Sequence, residues 1–261
     1  MKHIVALLLL FINFSFGDKL GVYEKLGETV SLDIPFIDEK GKRTTLGEIM
    51  DGKPTIVTLN YYECPGICSP QLNDLALTLE RLQLKENQDY KVVTVSIHDG
   101  DTIALAKQKK KNHIVSINRK FDANAWHFLI GEGNNSKKLA DSIGFYYEKT
   151  VGPNGKVDYL HPAALVILSP EGKITRYLNG VDQLPFDVKM ALIEASSGTV
   201  GPTIAKTLLY CFAYDAKGKT YVFAWEKIIA TVMLLLVFGF FIYLALTGRK
   251  KGQQNKGEID E

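Results

Sequence analysis

Apolar positions recur along the chain in two periods, and the period switches repeatedly. The stretch KPTIVTLNYY at residues 53–62 is almost continuously apolar and rich in β-branched and aromatic residues, as a buried strand requires. From Pro70 to about Leu84, the residues Leu72, Leu75, Ala76, Leu79 and Leu82 recur at helical spacing, which predicts a helix with one apolar stripe. Ser69 suits its N-cap and Pro70 its first helical position. DYKVVTVSI reads as the next buried strand, and DGDTIALAKQKKKNHI as a helix whose lysines form a solvated face. AWHFLIG predicts a third strand and NNSKKLADSIGFYYE a third helix. AALVIL and ITRYLNG are strands around the tight turn SPEGK, and LPFDVKMALIEAS is a last helix. Upstream, VSLDIPFIDEKGKRTTLGEI holds two short strands around DEKGK. This order predicts an α/β fold with a mixed sheet flanked by helices, over residues 18–199.

Both ends of the 261-residue chain break that pattern. Lys2 precedes an apolar run over residues 4–16, and Ser15 and Gly17 are spaced as a cleavage site requires. We read residues 1–17 as a secretory signal peptide, with the mature chain starting near Asp18. Residues 228–248, IIATVMLLLVFGFFIYLALTG, carry no charge and are long enough to span a membrane. Arg249, Lys250 and Lys251 follow at once, which places a basic tail, residues 249–261, in the cytoplasm. The expected product is a single-pass bacterial inner-membrane protein with a transmembrane helix at 227–248 and its globular domain in the periplasm. Residues 200–226 form a juxtamembrane extension, in which LLYCFAYDAKGKTYVFAW suggests a hairpin around DAKGK. The net charge of +2 and the lack of a basic, aromatic-laced patch exclude nucleic acid as a partner.

Candidate chemistry centres on YYECPGIC, where Cys64 and Cys68 stand between a strand and a helix. A redox or metal pair at that junction, with a closing hairpin and helix, is the plan of a thioredoxin-like fold. A thiol near a helix N-terminus gains thiolate character, and thiolate both attacks disulfides and binds soft metals. The spacing of three rather than two residues leaves a stabilising disulfide, a redox couple and a metal clamp all open. The chain has three cysteines, so at least one has no partner within it. Cys211, in the extension, reads as an unreactive apolar cysteine, or else as a third thiol that resolves a disulfide or passes copper.

A histidine would favour metal, because thiolates with an imidazole suit copper or zinc, and two thiolates favour Cu(I). His3 leaves with the signal peptide. His113 lies in a lysine-rich stretch and is expected to be solvated, and His127 to pack or face solvent. His98, in SIHDGD at the end of a strand, is a weak candidate. His161, in VDYLHPAALVIL, precedes the penultimate strand, in a loop that a thioredoxin-like plan brings to the cysteines.

The chain resembles the Sco/SenC family of membrane-tethered thioredoxin-like proteins. The resemblance rests on YYECPGIC, VTVSIHDGDT, WHFLIG, LADSIGFYY and YLHPAALVILSPEGKITRYLNG, which together cover most of residues 30–195. It implies a copper-binding protein that assists assembly of the CuA site of cytochrome c oxidase, with Cys64, Cys68 and His161 as ligands of Cu(I) and possible binding of Cu(II). Asp99 or Asp101 would stand near the family's aspartate loop. The partners implied are the copper-bearing oxidase subunit or other periplasmic copper and thiol proteins. Some family members are thought to act instead as thiol-disulfide oxidoreductases that keep partner cysteines reduced, with Cys64 and Cys68 as the redox pair. The C-terminal membrane helix marks this chain as a longer branch. A peroxidase is disfavoured, since the loop lacks a Thr/Ser-x-x-Cys arrangement.

Overall fold

The structure is a computed structural model; it describes residues 20–64, 66–151, 155, 157–201, 212–215, 220–223, 229 and 233–240. The chain forms two compact units, Met1–Gly201 and Pro202–Glu261.

In the first unit, β4 (Thr55–Asn60) and β5 (Lys91–Ser96) have every residue buried. They pair in parallel, and β5 pairs in parallel with β6 (Trp126–Gly131). On the other side of β4 lies β10 (Ala164–Leu168), antiparallel, followed by β11 (Ile174–Asn179). Beyond β6 lie β2 (Pro35–Ile37) and β3 (Arg43–Thr45), so the seven-stranded order is β11-β10-β4-β5-β6-β2-β3. The parallel pairs enclose α2 (Cys68–Arg81) and α3 (Ile103–Ser116), while β10, β11 and α5 (Pro185–Ser196) close the unit. The expected mixed, thioredoxin-like sheet is therefore present.

Alternation along the central strands divides the core into two faces. Ile56, Val92, Leu165 and Ile167 pack with Leu72, Leu75 and Leu79 of α2 and Val188 and Leu192 of α5. Val57, Leu59, Val93 and Val95 pack on the opposite side, with α1 (Leu46–Met50) and α4 (Asn135–Ser142). A continuous apolar run such as IVTL is needed because both of its faces are covered.

Several local expectations change. Helix α2 begins at Cys68, with Ile67 as its N-cap and no side-chain cap, so Ser69 and Pro70 lie inside its first turn. Helix α1 was not anticipated; five residues are too short to show a period, and Thr45 and Glu48 start it with a reciprocal capping box. Two further pairs form outside the main sheet. Strand β1 (Gly21–Val22) pairs with β7 (Phe145–Tyr146), and β8 (Glu148–Val151) pairs with β9 (Val157–Leu160).

In the second unit, β12 (Phe212–Asp215) and β13 (Thr220–Phe223) form the hairpin expected around DAKGK. Residues 233–240 are helical. Among the described residues no helix is long and apolar enough to cross a membrane. The rest of the expected span at 227–248, residue 229 apart, lies outside the described residues, as do the signal peptide at 1–17, the tail at 249–261 and Cys211.

Candidate metal centre

Strand β4 ends at Asn60, and the chain leaves the sheet through Tyr61 and Tyr62 to reach Cys64. Several hydrogen bonds hold this exit. The Ile97 N–H donates to Asn60 O at 2.8 Å, and the Tyr62 N–H donates to the Asp101 carboxylate at 2.8 Å. Asn60 Nδ2 donates to Gln71 Oε1 at 2.9 Å, and Gln71 Nε2 donates to Ala164 O at 3.0 Å. Gln71 thus ties α2 both to the end of β4 and to the start of β10, three residues beyond His161.

His161 lies in the loop between β9 and β10. Its Nδ1 is 2.9 Å from Pro162 O. A carbonyl can only accept, so Nδ1 carries the proton and Nε2 offers its lone pair. That Nε2 is 2.7 Å from Cys68 Sγ. The sulfurs of Cys64 and Cys68 and a ring nitrogen of His161 all lie within 4.8 Å of one another. Both cysteines are free thiols, Cys68 buried and Cys64 half-buried.

The electrostatics favour one thiolate at rest. The Cys64 thiol is pulled down to about 3, first by the Cys68 thiol beside it and then by His161 and the Gly66 N–H, which lies 3.3 Å from the sulfur. Cys68 is pushed up, by Cys64 and by burial. The helix N-terminus was expected to favour thiolate, yet the charge settles on Cys64, outside the helix. Cys68, at the first helical position, keeps the proton. Two soft sulfurs and one imidazole nitrogen form a donor set suited to Cu(I).

Residues 25–190 match the SCO1/SenC family. The chain belongs to that family. The SCO1 protein homolog of Bacillus subtilis (strain 168) is 23% identical over 165 residues, covering 62% of this chain and 80% of its own length. A candidate electron transfer protein of Aquifex aeolicus VF5 is 28% identical, with a TM-score of 0.58 over 66% of this chain and 95% of that one. Arabidopsis thaliana ScoI, solved with copper bound, shares the fold with a TM-score of 0.51 at 22% identity, over 63% of this chain and 98% of its own. The SCO1/SenC match spans all three candidate ligands.

Around the centre, this family member places the other candidates unevenly. His98 stacks on Tyr61 at 5.9 Å and meets Tyr159 edge-on at 5.2 Å, and its Nδ1 accepts the Gly100 N–H at 2.8 Å. It stands outside the group of three candidate ligands. Asp101 is a buried anchor of the cysteine loop. Desolvation raises its pKa against the Ser96 hydroxyl and Tyr62 N–H that it accepts from. Asp99 is exposed and pairs with Lys149 at 3.1 Å. His127 contacts the Asn124 carbonyl at 2.9 Å and Glu39 at 3.5 Å.

His113 is buried rather than solvated. It lies on Trp126 and Phe128, with ring centroids at 5.8 and 6.0 Å. The lysine face is not wholly solvated either, because buried Lys110 donates to buried Glu39 at 2.7 Å. Sequence reasoning passed over Tyr61, Gln71 and Asp158. Their one available signal was proximity in sequence, since each lies three residues from a candidate ligand.

Proposed function

We propose that the chain is a membrane-tethered copper chaperone that binds Cu(I) through Cys64, Cys68 and His161 and assists assembly of the CuA site of cytochrome c oxidase. The observation that carries this reading is the convergence of two free thiols and the lone-pair nitrogen of His161 within 4.8 Å. SCO1/SenC membership supports it, as does copper in Arabidopsis thaliana ScoI. Copper here is cargo: two thiolates hold the soft ion, and a neutral imidazole, oriented by Pro162, completes a trigonal set. The ligands lie where a partner can reach them, since Cys64 and His161 are only half-buried.

In the same reading the globular unit faces the periplasm of a bacterial cell and the C-terminal helix anchors it, as a longer branch of the family. The uncharged run at 228–248 and the helical, exposed apolar residues at 233–240 support that anchor. The partners are the copper-bearing oxidase subunit or another periplasmic copper or thiol protein.

The test is Cu(I) stoichiometry and affinity of the reduced protein beside its His161→Ala variant. One ion per chain, held tightly and weakened at least tenfold in the variant, is expected. Copper that ignores His161 would sink the three-ligand reading. A second reading, a thiol-disulfide oxidoreductase, is favoured by the depressed Cys64 pKa, since a thiolate is the attacking species. It predicts turnover with a disulfide peptide that survives loss of His161.

A further inference from the structure

His161 follows a hairpin that stands apart from the main sheet, for β8 and β9 pair only with each other among the described strands. Cys64 follows β4, in the middle of the seven-stranded sheet. The pairing of β10 with β4 brings the chain entering β10, and with it His161, toward the end of β4. Among the described strands no backbone pairing holds the hairpin itself, so side chains fix it against the cysteine loop.

One buried link is Tyr61. Its hydroxyl donates to Asp158 Oδ1, three residues before His161, and its backbone carbonyl accepts the Cys64 N–H at 3.3 Å. Asp158 Oδ1 accepts the Tyr159 N–H as well, at 2.8 Å, which fixes the carboxylate to the backbone of β9. The Tyr61 ring meets the His161 ring edge-on at 6.0 Å and Tyr159 at 5.7 Å. Tyr61 and Tyr159 are 4% and 5% exposed, so packing restricts both rings. Another tie between the hairpin and the body runs through Asp99, which pairs with Lys149 at 3.1 Å and accepts from Tyr159 at 3.4 Å. Asp99 and Lys149 are exposed, and exposed pairs hold geometry weakly.

We propose that Tyr61 is a positioning residue: its hydroxyl, bonded to Asp158, ties the His161 hairpin to the cysteine loop and sets the imidazole against the two thiols. The consequence for copper rests on the chaperone reading above. The tie itself does not depend on it. A hydrogen bond to a carboxylate is among the stronger kinds, and losing an orienting partner of a metal ligand typically weakens the metal by roughly 10–100-fold.

The test uses the full-length chain in detergent. Cu(I) affinity is measured by competition with a chromophoric chelator for wild type, Tyr61→Phe, His161→Ala and the double variant, with folding checked by circular dichroism. Tyr61→Phe is expected to weaken Cu(I) by about tenfold, yet to add no more than about twofold once His161 is gone. Asp158→Asn, which keeps an acceptor oxygen, should lie closer to wild type than Asp158→Ala. An equal loss with and without His161 would mean that the phenol supports the fold alone, and would overturn the proposal. A metal-free readout separates this from the copper reading. In the reduced apo-chain, nuclear Overhauser contacts between ring 61 and the His161 ring should fade in Tyr61→Phe, and unchanged contacts overturn the tie whether or not copper binds. Failure of the copper reading would show only in the wild-type and His161→Ala affinities.

Discussion

Acid should destabilise the globular unit through one buried histidine. His113 sits on the Trp126 and Phe128 rings, nearly parallel to Phe128 at 7°. Burial, with Lys109 nearby, pulls its pKa from 6.5 down to about 4. The imidazolium is therefore disfavoured in the fold. The unfolded chain takes a proton near pH 6.5, whereas the folded one waits until about pH 4. Stability from this site is complete above pH 6.5 and is lost as pH falls toward 4. Between pH 7 and 5 the linkage integral over that shift is about 2 kcal/mol. The assay is urea unfolding of residues 18–201 at each pH, followed by Trp126, the one tryptophan of that stretch. Trp126 is a suitable reporter because it is buried and donates to Thr94 Oγ1 at 3.0 Å. His113→Phe keeps an aromatic ring in the slot and removes the titration. The wild type should lose about 2 kcal/mol more than this variant on going from pH 7 to 5. Every other titrating group is common to both proteins, so the difference isolates residue 113. Parallel pH profiles would refute the reasoning and return His113 to solvent.

Other outcomes follow from the same packing. Burial pushes the Glu39 carboxyl up, but His127 and Lys110 outweigh it and hold the group at about 2. Lys110→Met should then destabilise by roughly 3–5 kcal/mol, and adding Glu39→Gln should recover most of that; a double variant as unstable as Lys110→Met alone would count against a buried pair. At Gly144, φ is +65° and an added Cβ would lie 1.9 Å from Tyr23 O, so Gly144→Ala should lose at least about 2 kcal/mol on thermal melting. Gly52, at φ +64° with nothing within 4 Å, supplies the control: Gly52→Ala should lose only about 1 kcal/mol of backbone strain, and equal losses at both sites would remove the role of the Tyr23 contact.

The fold was legible wherever one residue type repeats at one period. IVTL and KVVTV announce strands covered on both faces, and the leucines of α2 announce its buried stripe, because burial demands those patterns whatever the partner. YYECPGIC and the histidine of YLHPAA were legible as chemistry, since few residue types bind soft metals and their places in the strand order are few. The start of α2 was not. A favourable cap at Ser69 lost to a loop in which Cys68 already enters the helix, because the anchors on Asn60, Gln71 and Asp101 fix where the chain leaves the sheet. The lysine-rich helix α3 misled for a related reason. Its sequence shows charge, but Glu39 from a distant turn buries Lys110, and two rings of β6 bury His113. Sequence alone thus determined the order of the central strands and helices, the pair of thiols and His161 as the candidate third donor. Only the tertiary structure decided which sulfur carries the charge, which histidine is buried, and that a phenol joins the cysteine loop to the hairpin before His161. Those properties depend on contacts between separate elements, as between His113 and Trp126 or Tyr61 and Asp158, and no local period records such contacts.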